Sequence, residues 1–202
     1  MKVLLPDTIA DVTLKQFQEL YTLTEVEGLT EKELEKEKLR IFIGLDEDQI
    51  KGISQNDYDS LILSIDEALN KPSEFQAKFK MNGVDFGFIP NFDDITSFEL
   101  EHLLDYGTEP DNLHYIMAIL FRPLLSKDIL GNYKIASYKA DEKWAEIMKD
   151  TPLNIVNGAL IFFSSLSNES RIYIQRFSEQ KEAAKDRKLQ SFLLSGAGML
   201  PS

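Results

Sequence analysis

The sequence predicts a mainly α fold with a small β-hairpin, an α+β domain in which a helical bundle surrounds one central apolar helix at 152–166. Three observations carry that expectation. Apolar residues recur at three-to-four spacing along most of the chain, behind Ser, Thr or Asp at the helix starts. Two alternating runs flank Asn82-Gly83 in FQAKFKMNGVDFGFIP, the strongest short-range hairpin signal. Thr151 to Leu166, TPLNIVNGALIFFSSL, opens on a helix-start signal, carries no charge and is apolar for most of its length, as a helix packed on several sides would be.

The elements follow in order. Lys2–Leu5 ends at Pro6 and suits a terminal strand. Thr13 caps a helix whose apolar side is Val12, Leu14, Phe17, Leu20 and Tyr21. Thr30 with Glu33 makes a capping box for EKELEKEKLRIFIGL, one helix that should stop at Gly44. The Glu/Lys alternation from Glu31 to Lys38 reads as a solvated face. Asp46–Ile53 gives one short turn of helix, and its acids lack the spacing of a calcium loop. Ser54 caps Gln55–Asn70, with Tyr58, Leu61, Ile62, Ile65 and Leu69 inward and Pro72 beyond its end.

After the hairpin, Asp94 or Thr96 caps a helix carrying Phe98, Leu100, Leu103 and Leu104 and ending at Gly107. Asp111 starts a strongly apolar helix through NLHYIMAILFRPLL, which Pro123 should stop after Arg122. Gly131–Tyr138 reads as a short strand, and Asp141–Asp150 as a short helix around Trp144, Ile147 and Met148, with Trp144 a core anchor whose indole N–H finds a carbonyl. Thr151 then caps the central helix with Pro152 at its first position. That helix should pair with Leu113–Phe121, approaching closely at Asn157 and Gly158. The chain divides into an acidic helical part at 1–72, a hairpin and helical core at 73–170, and a mixed-charge C-terminal helix with a flexible end at 171–202; the first two form one compact domain, 1–170.

Charge is unevenly placed. Residues 1–112 hold 10 Lys and Arg against 25 Asp and Glu, a net of −15, and residues 113–202 hold 12 against 9, a net of +3. Such an acidic half repels nucleic acid and anionic membrane. The basic residues from Arg171 to Lys188 are interspersed with acids and read as a solvated helix face. There is no cysteine, which removes disulfides and thiol chemistry and suits a reducing compartment. The start MKVLLPDT has too short an apolar run for a signal peptide, and Gly158–Phe163 is far too short to cross a bilayer.

Chemistry-bearing motifs are scarce. No P-loop, GxGxxG, GxSxG, HExxH or zinc spacing occurs, and only two histidines are present. Glu99 and His102 stand at i,i+3, as do Asp111 and His114, a spacing used by di-metal carboxylate bundles. A metal-binding bundle enzyme built on those four residues is one reading. Helix capping explains the acids without metal. No catalytic, cofactor-binding or metal-ligating residue is assigned, no cofactor is called for, and the chain is read as not an enzyme.

The ordered set IPNFDDITSFELEHL, DNLHYIMAILFRPL, YKIASY and MKDTPLNIVNGALIFFSSLSNE resembles tailed-bacteriophage proteins of the tail-assembly-chaperone type. The matching positions are Ile89–Pro90, Asp93, Ile95–Thr96, Glu99, Leu113–His114, Met117–Ala118, Leu120, Arg122–Pro123, Pro152–Leu153, Gly158–Ala159, Phe162–Phe163 and Asn168–Glu169. Phe98 and Phe121 depart from the pattern without touching chemistry. The resemblance spans roughly residues 75–170. It implies a non-enzymatic assembly protein whose partners are other phage proteins, the tape-measure protein or tail and connector components. It implies no small-molecule substrate, no direct nucleic-acid binding and no membrane, leaves an oligomer open, and places the chain in the host cytoplasm during assembly or in the virion. A stoichiometric virion component (connector, ring or packaged internal protein) is the alternative.

Overall fold

The chain is a mixed α+β protein in which a four-stranded antiparallel sheet is embedded among helices. The computed structural model describes residues 5–91, 94–107 and 109–169, with side chains through 162. The strand expected at Lys2–Leu5 lies outside the described residues but for Leu5, which is in no strand, and the helix expected after residue 170 lies outside them. Helices α1 (Leu14–Thr24), α2 (Glu31–Lys38), α3 (Glu47–Gly52) and α4 (Gln55–Leu69) come first. Strands β1 (Lys78–Met81) and β2 (Val84–Phe88) follow, then α5 (Ser97–Tyr106), α6 (Leu113–Leu120), β3 (Phe121–Lys127), β4 (Tyr133–Ile135), α7 (Glu142–Met148) and α8 (Leu153–Glu169). Two compact units, Met1–Ala159 and Leu160–Ser202, divide the chain within α8. Among the described residues no helix is long and apolar enough to cross a membrane.

Local chemistry explains most helix starts. Thr13, Thr30, Asp46 and Thr96 each accept from the third helical amide while that residue's side chain reaches back to the cap, satisfying two otherwise orphaned donors. Ser54 caps α4 and Asp141 caps α7. Gly44 closes its helix in the left-handed conformation at φ 76°, but the last turn, Leu39–Ile43, widens to a π-type helix instead of running on as α. The widening buries Leu39, Ile41 and Phe42 together, and the Gln16 side chain donates to the Ile41 carbonyl at 2.9 Å.

The sheet is where periodicity alone misleads. Asn82 and Gly83 take φ of 49° and 80° and turn β1 into β2, as the Asn-Gly pair requires. The apolar run after Asp111 is not one helix to Pro123. It is helical only to Leu120, then turns directly into β3, so Arg122 and Pro123 are strand residues paired with Gly87 and Phe86. Pro123 keeps one ladder bond, its carbonyl accepting from Ala136 N at 2.9 Å, and has no N–H with which to return it. The strand expected over Gly131–Tyr138 shrinks to β4, Tyr133–Ile135, which pairs with β3 across an irregularity between Leu124 and Ser126.

One face of the sheet carries an aromatic core. Phe79 stacks on Phe86 at 5.3 Å, and Phe121 meets Phe79 and Phe88 edge-on at 5.0 and 5.1 Å. Trp144 stands edge-on to Phe86 at 6.3 Å. It is half-buried, with no carbonyl accepting its indole N–H among the described residues, and on α7 it is Ala145 and Met148 that are buried while Ile147 is exposed. The other face is kept thin at Gly87, where an added Cβ would lie 2.6 Å from Leu124 and 2.7 Å from the Tyr133 ring. Tyr133 crosses this gap to donate to the Phe88 carbonyl at 2.9 Å, folding the β3–β4 hairpin back over the sheet.

Thr151 does not cap α8. It is fully buried, its hydroxyl contacts Met148 Sδ at 3.5 Å, and its carbonyl accepts from Leu14 N. Pro152 forms an isolated antiparallel bridge with Thr13, and Leu153 N donates to the Val12 carbonyl at 2.8 Å. The start of α8 is thus strapped to the start of α1. Leu153, Ile155, Val156 and Ala159 are buried, whereas Leu160 and Phe162 are half-buried and Ile161 is exposed. The close approach at Gly158 is to the chain ahead of β1, not to α6, since a Cβ there would sit 2.4 Å from the Glu74 carbonyl oxygen.

Candidate functional site

The most concentrated polar arrangement lies where α5 crosses β3. Thr96 starts α5, so Glu99 falls at the third helical position and points back along the helix. One carboxylate oxygen of Glu99 accepts from Thr96 N and its hydroxyl at 2.7 and 2.8 Å, and the other meets Arg122 at 2.5 Å. Glu99 is only 3% exposed. A buried carboxylate in that setting is sustained by the paired guanidinium and the two cap donors together. Arg122 arrives from the opposite direction because β3 follows α6 without a loop. Its Nε is buried with no hydrogen-bond partner among the described residues.

Tyr138, just past β4, completes this joint. Its hydroxyl lies 2.8 Å from His102 Nδ1, and burial, with Tyr106 and then Glu99 adding to it, pushes its pKa up to about 12. The phenol therefore stays protonated at neutral pH. A cleft of about 180 Å³ on one side of Tyr138 is walled by Arg122, Phe121 and Trp144, and a shallower one of about 330 Å³ on the other by Phe98, Glu99 and Pro90. Both Glu99 oxygens are engaged and the phenol is protonated, so neither of these two groups is a ready base.

The four residues of the metal reading are divided among separate contacts. Glu99 is held by Thr96 and Arg122. His102 lies in an aromatic row, 4.3 Å from Phe98 and 5.8 Å from Tyr106, which itself stacks on Tyr115 at 4.6 Å. His114 is buried, and Gln18 Nε2 lies 3.1 Å from its Nδ1 while also donating to the carbonyls of Pro110 and Asp111. Asp111 contributes that backbone carbonyl. Among the described residues no group of three or more His, Asp or Glu could hold a metal ion. The two Gln18 amide hydrogens go to those carbonyls, so the direction of its contact with His114 Nδ1 follows the imidazole tautomer. Burial lowers the His114 pKa, and the Lys149 charge adds to it.

Gln18 is a residue the sequence reading passed over. It stands four residues after Leu14, on the same helical stripe, and a polar residue on an apolar stripe is the signal that could have found it. A second feature missed is the β3–β4 tip, where Leu125, Ile129 and Leu130 are exposed. Stopping the helix at Arg122 and starting the next strand at Gly131 left these residues in no element, which concealed it.

The chain matches no family model, and no curated protein and no solved structure is significantly similar to it.

Proposed function

We propose that this chain is a non-enzymatic bacteriophage assembly protein that works through protein–protein contacts, a tail-assembly chaperone that shields the tape-measure protein before the tail tube polymerises. The sequence resemblance is its basis, and one observation carries it further. Thr96, Glu99, Arg122 and Pro123, pattern positions scattered along the chain, gather with Tyr138 at a single joint. A pattern that converges in space is what a fold-defining signature requires. An acidic body also suits the task, because net charge keeps a protein soluble while it holds an apolar client. In this reading the apolar helix at 152–166 is the centre of the fold, supported by the burial of Leu153, Ile155, Val156 and Ala159. The chain would act in the host cytoplasm during assembly.

The exposed apolar tip also favours a second reading, a stoichiometric virion component with a permanent interface there. Mass spectrometry of purified particles, with affinity purification of the chain from infected cells, separates the two. A chaperone is absent from particles and brings down the tape-measure protein. A virion component appears in particles at fixed copy number. Absence from particles together with no captured phage protein would sink both.

A further inference from the structure

The β3–β4 tip is built to hold apolar side chains out in solvent. Ile129 is 103% exposed, Leu130 83% and Leu125 69%. A floppy loop could let such residues fold back, but this one is braced. The Asp128 carboxylate accepts from Leu130 N and Asn132 N at 2.9 Å each and from the Asn132 side chain at 2.8 Å. Gly131 takes φ 89°, and its carbonyl accepts from Lys78 Nζ at 3.2 Å. Around the tip the charge is positive: Lys78 and Lys80 come from β1, Lys127 and Lys134 from the hairpin itself, and the acids beside them are Asp85 and Asp128, the latter spent on the loop. None of these lysines forms an ion pair among the described residues.

A basic apolar knob asks for an acidic surface with an apolar centre, and the chain itself displays one. On α4, Asp59, Leu63 and Glu67 follow at i, i+4 and i+8 and are all exposed, with Leu63 60% accessible. Leucine between two carboxylates on one helical stripe complements isoleucine and leucine among lysines in both charge and polarity. We infer that the β3–β4 tip of one protomer docks on the Asp59–Leu63–Glu67 stripe of a second copy of this chain. Because the two surfaces differ, the contact either closes reciprocally about a two-fold axis or continues head to tail. This self-association goes beyond the assembly reading and does not depend on which phage protein the chain binds.

Sedimentation velocity on the full chain tests it through a charge swap. The wild type associates with rising concentration at about 0.05 M salt, and less at about 0.5 M, as screening of the paired charges requires. The variant K127E/K134E alone and the variant D59K/E67K alone each sediment as monomers, while an equimolar mixture of the two associates again. Ile129→Asp with Leu130→Asp abolishes association with the thermal midpoint unchanged. A wild type that stays monomeric throughout, or association that survives in both charge variants, overturns the inference, and so does a mixture that remains monomeric.

Discussion

The α5–β3 joint and the β3–β4 tip lie on the same strand and break the usual rule of burial in opposite directions. At the joint a carboxylate and a guanidinium are buried against each other. A few residues along β3 Leu125 is mostly exposed, and in the turn beyond it Ile129 and Leu130 stand in solvent. Each arrangement is costly, so each must be held by its surroundings: Glu99 by Arg122 and two cap donors, Ile129 and Leu130 by a loop laced through Asp128. The difference teaches where stability and recognition separate. Breaking the joint should unfold the protein, whereas breaking the tip should leave it folded.

The largest effect belongs to the joint. Glu99→Ala strands the Arg122 charge and removes the return half of the Thr96 capping box, and should cost about 3–5 kcal/mol in chemical denaturation. Glu99→Gln, which keeps the shape and the cap acceptor, should cost less. A Glu99→Ala protein as stable as wild type would mean the pair is solvated in solution. Gly158→Ala comes next. Alanine gains up to about 1 kcal/mol in helix propensity, but its Cβ would press on backbone rather than on a yielding side chain, 2.4 Å from the Glu74 oxygen. Overpacking should win, with a net loss of about 1–3 kcal/mol. A stabilised variant would show that the segment before β1 can move away.

How far this division was legible in the sequence depends on the range of the interaction. Caps and turns are decided within four residues, and Thr13, Thr30, Asp46, Ser54, Thr96 and Asn82-Gly83 stand where the residues say. The passage from α6 into β3 is decided by partners far along the chain. Leu120 and Phe121 are equally at home in a buried helix or a buried strand, and only the Phe86–Phe88 edge settles the matter. Thr151 misled for the same reason: a Thr-Pro pair signals a helix start, yet here Thr13 occupies Pro152 through a bridge. At the joint, Glu99 was visible as a cap and as a candidate ligand, but its tie to Arg122 needed the strand that the proline appeared to forbid.

A third, smaller effect tests whether burial at Gln18–His114 behaves like burial at the joint. The folded-state pKa of His114 lies below its ordinary 6.5. As pH falls below about 7 the unfolded chain takes up a proton that the folded chain refuses, so stability declines toward acid and is independent of this group at higher pH. The slope from one such group cannot exceed about 1.4 kcal/mol per pH unit. His114→Gln should flatten the dependence between about pH 7 and 5.5, where carboxylates have yet to titrate. An unchanged slope would assign the acid sensitivity elsewhere.

The tip should give the smallest effect on stability, and that is its diagnostic value. Ile129 and Leu130 already face water, so replacing both by Asp removes no buried area and leaves the Asp128 brace, which uses only their backbone, in place. The change in unfolding free energy should stay within about 0.5 kcal/mol. Asp128→Ala is the control from the same loop. It frees Leu130 N and Asn132 N to water and loosens the tip without touching an apolar side chain, so it should weaken any contact the tip makes while sparing the fold. If instead Ile129→Asp with Leu130→Asp destabilised the chain as Glu99→Ala does, the two leucine-like side chains would be covered in solution by the protein's own remaining residues. The tip would then be a seam of the fold, and the contrast with the joint would vanish.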